Sequence, residues 1–332
     1  MKVALLSRWH VHADDYANDI KAIDELSIAM VWDEEKERGE EWAKELDVPF
    51  EADLEAVLSN PEIDAVVVNT PTNLHKEVII AAAEHKKHIF TEKVLAFTVE
   101  DAEAIYDAVE KAGVELMVSL PRLTDNNYAY AEKAIKDQWV GDLTMIRCRF
   151  AHNGGVAPEG QANGWLPERF FNKEQAGGGA MIDLGAHPIY LTNRLAGKAK
   201  GVYARLQKKN SDSVDDNSAL LVDYESGAVG IIETSFVSFG SPFQLELYGT
   251  QGSLFINEGD IHVQSAKVND GKLTKLDEPL SGLEMPMNQW VKAIQTGEKP
   301  SIQKADVVNL TMVNEAAFKS QEEGRRVEIQ PQ

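Results

Sequence analysis

Apolar and polar positions alternate in two different rhythms along this chain, and the change falls near Pro121. Before it, short apolar runs trade places with helical patterns. Val3–Leu6 predicts a strand, Asp14–Leu26 a helix with Tyr16, Ile20 and Ile23 on one face, and Ile28–Trp32 a second strand. Glu35–Leu46 and Asp53–Leu58 predict helices, the latter stopped by Asn60 and Pro61. Ile63–Val68, apolar but for Asp64, predicts a continuous strand covered on both faces. A helix over His75–Glu84, a strand at His88–Phe90, a helix over Val99–Ala112 ended by Gly113, and a strand at Val114–Ser119 complete the series. Such alternation predicts an α/β unit with a parallel, doubly wound sheet. Ligands of such a sheet sit at the C-terminal strand ends, where the strand order reverses.

After a helix over Asn127–Gln138, strands dominate: 144–150, 201–207, 218–224, 228–236, 243–248, 253–256 and 261–264. E-S-G at 225–227 and G-T-Q-G at 249–252 supply hairpin turns. Phe243, Leu245 and Leu247 alternate with Gln244, Glu246 and Tyr248, so one face of that sheet is buried. Two helices, Met285–Thr296 and Lys304–Glu322, close the chain. The second half is therefore predicted as an α+β domain with a large, mostly antiparallel open sheet, and the division is placed at 1–122 and 123–332.

Composition narrows the function. With 33 basic and 54 acidic side chains the net charge is −21, which excludes a phosphate-gripping nucleic-acid surface. The lone cysteine, Cys148, rules out an internal disulfide, and its place in the alternating M-I-R-C-R-F predicts a packed thiol. No apolar run has the length of a membrane helix or a signal-peptide core, so a cytoplasmic protein without membrane partners is expected.

Two segments carry candidate chemistry. T-E-K-V at 91–94 supplies Lys93, and A-G-G-G-A-M-I-D-L-G-A-H-P at 176–188 supplies Asp183 and His187. Read as a helix, positions 183 and 187 share a face. The three glycines before them allow close backbone approach. A lysine, an acid and a histidine suit proton transfer at an alcohol oxygen.

The loop after the first strand should carry G-x-G-x-x-G if it cradles a pyrophosphate. Here it reads S-R-W-H-V-H at 7–12, with Ser7, Trp9 and His12 in place of the glycines. Arg8 has two open readings, a cation for phosphates or a solvated charge. Asp14 and Asp15 stabilise the helix start but compete with a phosphate. Asp33 ends the second strand; it either binds the adenosine ribose, favouring NAD over NADP, or caps the helix that follows. His10 and His12 form an H-V-H pair with no third ligand near in sequence, so no metal is expected and a structural or nicotinamide-side place for His10 stays open.

The chain resembles the glucose–fructose oxidoreductase / inositol 2-dehydrogenase / rhizopine-catabolism (Gfo/Idh/MocA) family over nearly its whole length. The resemblance rests on N-T-P-T-N-L-H (69–75), H-K-K-H-I-F-T-E-K-V-L-A-F-T (85–98), V-G-D-L (140–143), A-G-G-G-A-M-I-D-L-G-A-H (176–187), Y-G-T-Q-G-S-L (248–254) and G-E-K-P (297–300). It implies a Rossmann domain followed by an α/β domain whose open sheet forms dimers or tetramers, a nicotinamide cofactor, and a sugar or polyol substrate. It places Thr70, Pro71, Asn73, His75 and Glu92 on the cofactor side and Lys93 against both cofactor and substrate. It also implies that His187 is the acid/base, that Asp183 is its partner, and that Arg122 begins the second domain on the substrate side. The family's proline after the lysine is Val94 here, so the Lys93–Val94 bond is predicted trans, or cis at a cost of about 2.5–4 kcal/mol.

The implied reaction is reversible oxidation of a secondary alcohol, with hydride passing to nicotinamide, His187 taking the proton and Lys93 stabilising the oxygen. Trp165 and Arg169 are candidate sugar contacts, by stacking and by carboxylate binding, or else hold their loop; Tyr190 and Asn193 follow His187 towards the same cleft. Two alternatives stay open: a ligand-sensing regulatory protein without catalysis, and a hydrolase or lyase that uses bound NAD transiently.

Overall fold

In the computed structural model, which describes residues 1–161, 164–240, 243–278 and 280–329, the chain packs as two units. The first comprises Met1–Ser119 and Glu284–Lys304, the second Leu120–Leu283 with the remainder after Ala305. The predicted division after residue 122 thus becomes one after Ser119, with a helical return from the far end of the chain.

The first unit runs β1 (Lys2–Leu6), α1 (Ala13–Ala22), β2 (Ser27–Trp32), α2 (Lys36–Leu46), α3 (Leu54–Ser59), β3 (Ala65–Val68), α4 (His75–Glu84), β4 (His88–Thr91), α5 (Val99–Ala112) and β5 (Leu116–Val118). Its parallel strands stand in the order β2-β1-β3-β4-β5, so the order reverses between β1 and β3. Every residue of β3 is buried, as its unbroken apolar run predicts. α5 starts where Thr98 Oγ1 accepts the Asp101 N–H at 3.2 Å and ends on Gly113 at φ 68°. The returning helix belongs here because Trp290 is fully buried edge-on to Phe90, ring centroids 5.7 Å apart.

The second unit holds α6 (Asn126–Lys136), β6 (Leu143–Ala151), α7 (Lys173–Ala176), α8 (Ala186–Ala196), β7 (Ala199–Gln207), β8 (Asn217–Tyr224), β9 (Val229–Ser235), β10 (Gln244–Gly249), β11 (Gly252–Asn257), β12 (Asp260–Ser265) and β13 (Thr274–Leu276). The helix of the first unit's return is α9 (Pro286–Thr296); α10 (Lys304–Glu323) and β14 (Val327–Glu328) end the chain. Nine strands form one sheet, β13-β12-β11-β10-β6-β9-β8-β7-β14, antiparallel except for the β6–β9 pair. Leu245 and Leu247 are buried, as the alternation predicts. Cys148 in β6 is fully buried, and burial pushes its thiol pKa up, so it is an inert packed group. Among the described residues no helix is long and apolar enough to cross a membrane.

One buried side chain sits between two loops of the first unit. His75 Nδ1 lies 3.0 Å from Val94 O and 3.2 Å from Leu95 O, and Nε2 lies 3.1 Å from Thr70 O. The ring stands between the segment after Lys93 and the end of β3, and when neutral it donates its one N–H to one side only; the Lys93–Val94 peptide is cis. The carbonyls favour a protonated ring, but burial, the larger influence, lowers its pKa from 6.5 to about 4. Between those values the unfolded chain holds a proton that the folded chain lacks. Stability is then complete above pH 6.5 and falls as pH drops toward 4. At about 1.36 kcal/mol per pH unit, that window is worth about 3 kcal/mol. Urea unfolding should show wild type losing about 3 kcal/mol more than His75→Gln between pH 7 and pH 4; identical pH slopes would contradict the neutral ring.

Candidate active site

The C-terminal strand edge of the first unit gathers most of the predicted cofactor residues. Ser7, where the first fingerprint glycine would stand, adopts the left-handed φ of 75° that glycine normally supplies. The loop satisfies most of its own amides. Arg8 N–H donates to Asp33 Oδ2 at 2.8 Å, Trp9 N–H to Ser7 Oγ at 3.0 Å, and His10 N–H to Asn69 O at 3.2 Å. His12 N–H donates to His10 Nδ1 at 3.3 Å and Ala13 N–H to His10 O at 3.1 Å. Arg8 is half-buried and ion-paired. Its guanidinium pairs with Asp14 at 3.0 Å and Glu45 at 2.8 Å.

Asp33, buried at the end of β2, makes the helix-start contact that is one of its two open readings. Oδ1 accepts the Glu35 N–H at 2.8 Å, just before α2, so it ties down the start of that helix. It also accepts Arg38 Nη2 at 2.6 Å, while Arg38 Nε reaches Oδ2 at 3.0 Å. Arg38 was not singled out from sequence, because its pairing with Asp33 joins the end of β2 to α2 and follows no helical spacing.

At the end of β3 and β4 the picture is more open. Asn69 and Thr70 are buried, and the Asn69 amide atoms and Thr70 Oγ1 have no hydrogen-bond partner in the protein. Buried polar groups are otherwise paired, so these atoms fit a polar ligand at the switch point, as a nicotinamide nucleotide requires. Pro71 is buried beside them and Asn73 is exposed. Glu92 is oriented from both sides: Tyr16 Oη donates to Oε1 at 2.5 Å and the Lys93 N–H to Oε2 at 2.6 Å. The Tyr16 hydroxyl also lies 2.8 Å from Ser119 Oγ. Burial and the Glu92 charge hold the Tyr16 pKa well above its usual value, so it stays a donor. Lys93 itself is 6% exposed.

In the second unit, the structure corrects the expectation for Asp183. It lies in the turn before α8, which starts only at Ala186, so Asp183 and His187 do not share a helical face. The ring of His187 is held by Tyr190: Nδ1 lies 2.7 Å from Tyr190 Oη, which also accepts the Arg122 N–H at 3.2 Å. Tyr190 is fully buried and its hydroxyl serves the histidine rather than opening to a cleft. Phe150 packs edge-on to the imidazole at 5.0 Å, and the Arg122 guanidinium sits 4.9 Å over Phe150 and 3.1 Å from Asp125. Asn193 is buried with both amide atoms lacking a partner. Trp165 is 62% exposed against His152, ring centroids 4.6 Å apart, and the Arg169 guanidinium lies 6.0 Å from the Phe170 ring. A pocket of about 380 Å³ opens nearby, walled by Gly154, Gly155, Leu166, Glu168, Phe171, Asn210 and Ser211 among others.

The glycine run behaves as its spacing implies. A Cβ at Gly179 would lie 1.8 Å from Asp215 O. The Asp215 carboxylate, missed from sequence, anchors the run by accepting the Gly179 N–H at 3.1 Å, the Met181 N–H at 2.8 Å and Ser218 Oγ–H at 2.7 Å.

Two family profiles match this chain, the "Oxidoreductase family, NAD-binding Rossmann fold" over residues 10–120 and the "GFO/IDH/MocA C-terminal domain" over residues 128–255. The chain belongs to the GFO/IDH/MocA oxidoreductase family. It is 30% identical to levoglucosan dehydrogenase of Pseudarthrobacter phenanthrenivorans over 62% of this chain, which spans 58% of that relative's length. It is 27% identical to the NAD(+)-dependent scyllo-inositol 2-dehydrogenase of Bacillus subtilis, covering 94% of this chain and 91% of the relative. The structure of a levoglucosan dehydrogenase in complex with NADH and L-sorbose superposes with a TM-score of 0.86 at 24% identity, covering 99% of each chain, a likeness of fold. This family member is thus an oxidoreductase with an NAD-binding Rossmann unit and a mostly antiparallel second sheet.

Asp215→Asn should lower stability by about 1–3 kcal/mol, because the amide turns a donor onto a buried N–H. A urea midpoint unchanged from wild type would show that the carboxylate does not hold the glycine run.

Proposed function

We propose that the protein is an NAD(H)-dependent oxidoreductase that interconverts a secondary alcohol and a ketone on a sugar, polyol or sugar derivative. The observation that carries this reading is the pair of buried, unpartnered side chains Asn69 and Thr70 at the β1/β3 switch point. They are polar groups that wait for a ligand where this fold takes its nucleotide. The relatives that match over most of the chain include inositol 2-dehydrogenases and a D-xylose 1-dehydrogenase.

Bound nicotinamide supplies the hydride acceptor. This chain's own residues supply the rest. With Nδ1–H donating to Tyr190 Oη, His187 presents Nε2 as the proton acceptor for the substrate hydroxyl. Asp183 is assigned to stabilise the imidazolium, and Lys93 to donate to the oxygen as its charge develops. Glu92 fixes the Lys93 backbone through its N–H.

For the cofactor's adenosine end we propose NAD over NADP. Arg38 is a cation beside Asp33, but Asp33, Glu34 and Glu35 all pair with it, at 2.6, 2.6 and 2.8 Å. One positive charge among three carboxylates leaves the edge negative, which repels a 2′-phosphate. We place self-association on the outer face of the nine-stranded sheet, where exposed Tyr203 pairs with Leu221 and exposed Met145 with Val229.

Turnover is tested by following reduced nicotinamide with NAD⁺ and a panel of polyols, aldoses and anhydrosugars. Wild type should turn over at least one of them. Lys93→Ala should abolish that rate, and His187→Ala should lower kcat by about 10²–10⁴-fold, with the fold intact in both. Near-normal rates in either variant would overturn its assigned role.

A further inference from the structure

The H-V-H pair in the loop after β1 lacks a third metal ligand in the local sequence, but the fold brings one. Glu92, at the end of β4, reaches the same place. One nitrogen from each of the His10 and His12 rings and one Glu92 carboxylate oxygen all lie within 4.8 Å of one another. His10 Nδ1 is 4.0 Å from Glu92 Oε1. Tetrahedral coordination with zinc-like bonds of about 2.0–2.1 Å needs ligand atoms about 3.3 Å apart. The cluster therefore has to close by about an ångström.

The His12 side chain is half-exposed and can swing inward. His10 and Glu92, 6% and 2% exposed, must also draw together by about 0.7 Å, and His10 Nδ1 must release the His12 N–H that it accepts at 3.3 Å. His12 Nδ1 now lies 2.8 Å from Asp15 Oδ2. The surroundings also supply outer partners of the kind that orient metal ligands. Tyr16 Oη and the Lys93 N–H hold the two Glu92 oxygens, and Asp15 stands ready to orient His12.

One effect opposes a cation here. His12 is the N-cap of α1, whose dipole amounts to about half a positive charge at that end. The full negative charges of Glu92 and Asp15 outweigh it.

We propose that His10, His12 and Glu92 bind a divalent transition-metal ion of the zinc class. Two imidazoles and one carboxylate select such an ion over magnesium or calcium. Three protein ligands leave a fourth position for water or a ligand oxygen.

The test uses the full-length chain, stripped with chelator, and needs no nucleotide, so its outcome is independent of the oxidoreductase reading. Zn²⁺ is titrated in competition with a chromogenic chelator, in excess Mg²⁺ to mask the acidic surface. Co²⁺ is added separately to read its visible absorption. The site predicts one Zn²⁺ per chain, a Co²⁺ spectrum of low-coordinate type, and binding weakened at least tenfold in both His12→Ala and Glu92→Gln. Circular dichroism checks that each variant is folded; His12→Ala, a change at an exposed position, keeps the test valid if Glu92→Gln does not fold. No Zn²⁺ uptake by wild type, displacement by Mg²⁺, or undiminished uptake by folded His12→Ala would overturn the proposal.

Discussion

A buried carboxylate with four donors on it organises the ligand edge of the first unit. Asp33 has no exposed side-chain surface, and a carboxylate so placed is costly unless every oxygen is paired. The pairing comes from the Arg8 and Glu35 N–H groups and from Nε and Nη2 of Arg38. Each bond has a structural consequence. The Arg8 bond holds the loop after β1 in place, with Ser7 in a left-handed turn. The Glu35 bond sets the entry to α2. The Arg38 bonds gather three carboxylates around one cation, which makes the edge beside the end of β2 negative. The loop's shape is held by the Asp33 carboxylate and the Asn69 carbonyl beside it, with Ser7 in the left-handed turn.

A second buried group does the same for the neighbouring loop. His75 packs between the end of β3 and the segment after Lys93, its two nitrogens facing three carbonyls, and Glu92 holds the Lys93 N–H. The lysine is thereby positioned by contacts that are distant in sequence. In the second unit Asp215 plays the corresponding part, since its carboxylate and carbonyl accept the Gly179, Met181 and Ala180 amides. In all three places a buried polar side chain shapes the backbone that carries a candidate functional residue.

What was legible in the sequence was what short-range periodicity encodes. The all-apolar run ending at Val68 is the fully buried β3, and the alternation over Leu245 and Leu247 is β10, inward face and all. The glycines at 177–179 mark close backbone approach, as found at Asp215 O. The helical spacing of Asp183 and His187 misled, because the glycine-rich segment folds as a turn until Ala186; the i, i+4 rule holds only inside a helix. Tyr190, a candidate substrate contact by its spacing, hydrogen-bonds His187 Nδ1. The roles of Tyr16, Arg38 and Asp215, and the meeting of Glu92 with His10 and His12, depend on pairings across strands or loops that no local pattern encodes. Val94 was expected to follow a trans bond or a costly cis one; the bond is cis.

The central claim is that a loop without glycines, its amides paired within the protein, still serves a nicotinamide dinucleotide through the groups at Asn69 and Thr70 and the negative edge at Asp33. Titration of the purified protein with NADH, and separately with NADPH, followed by nicotinamide fluorescence, tests it most directly. The account predicts saturable binding of one NADH per chain, at least tenfold tighter than NADPH, a difference of about 1.4 kcal/mol. Absence of saturable binding by either nucleotide, or tighter binding of NADPH, would contradict it.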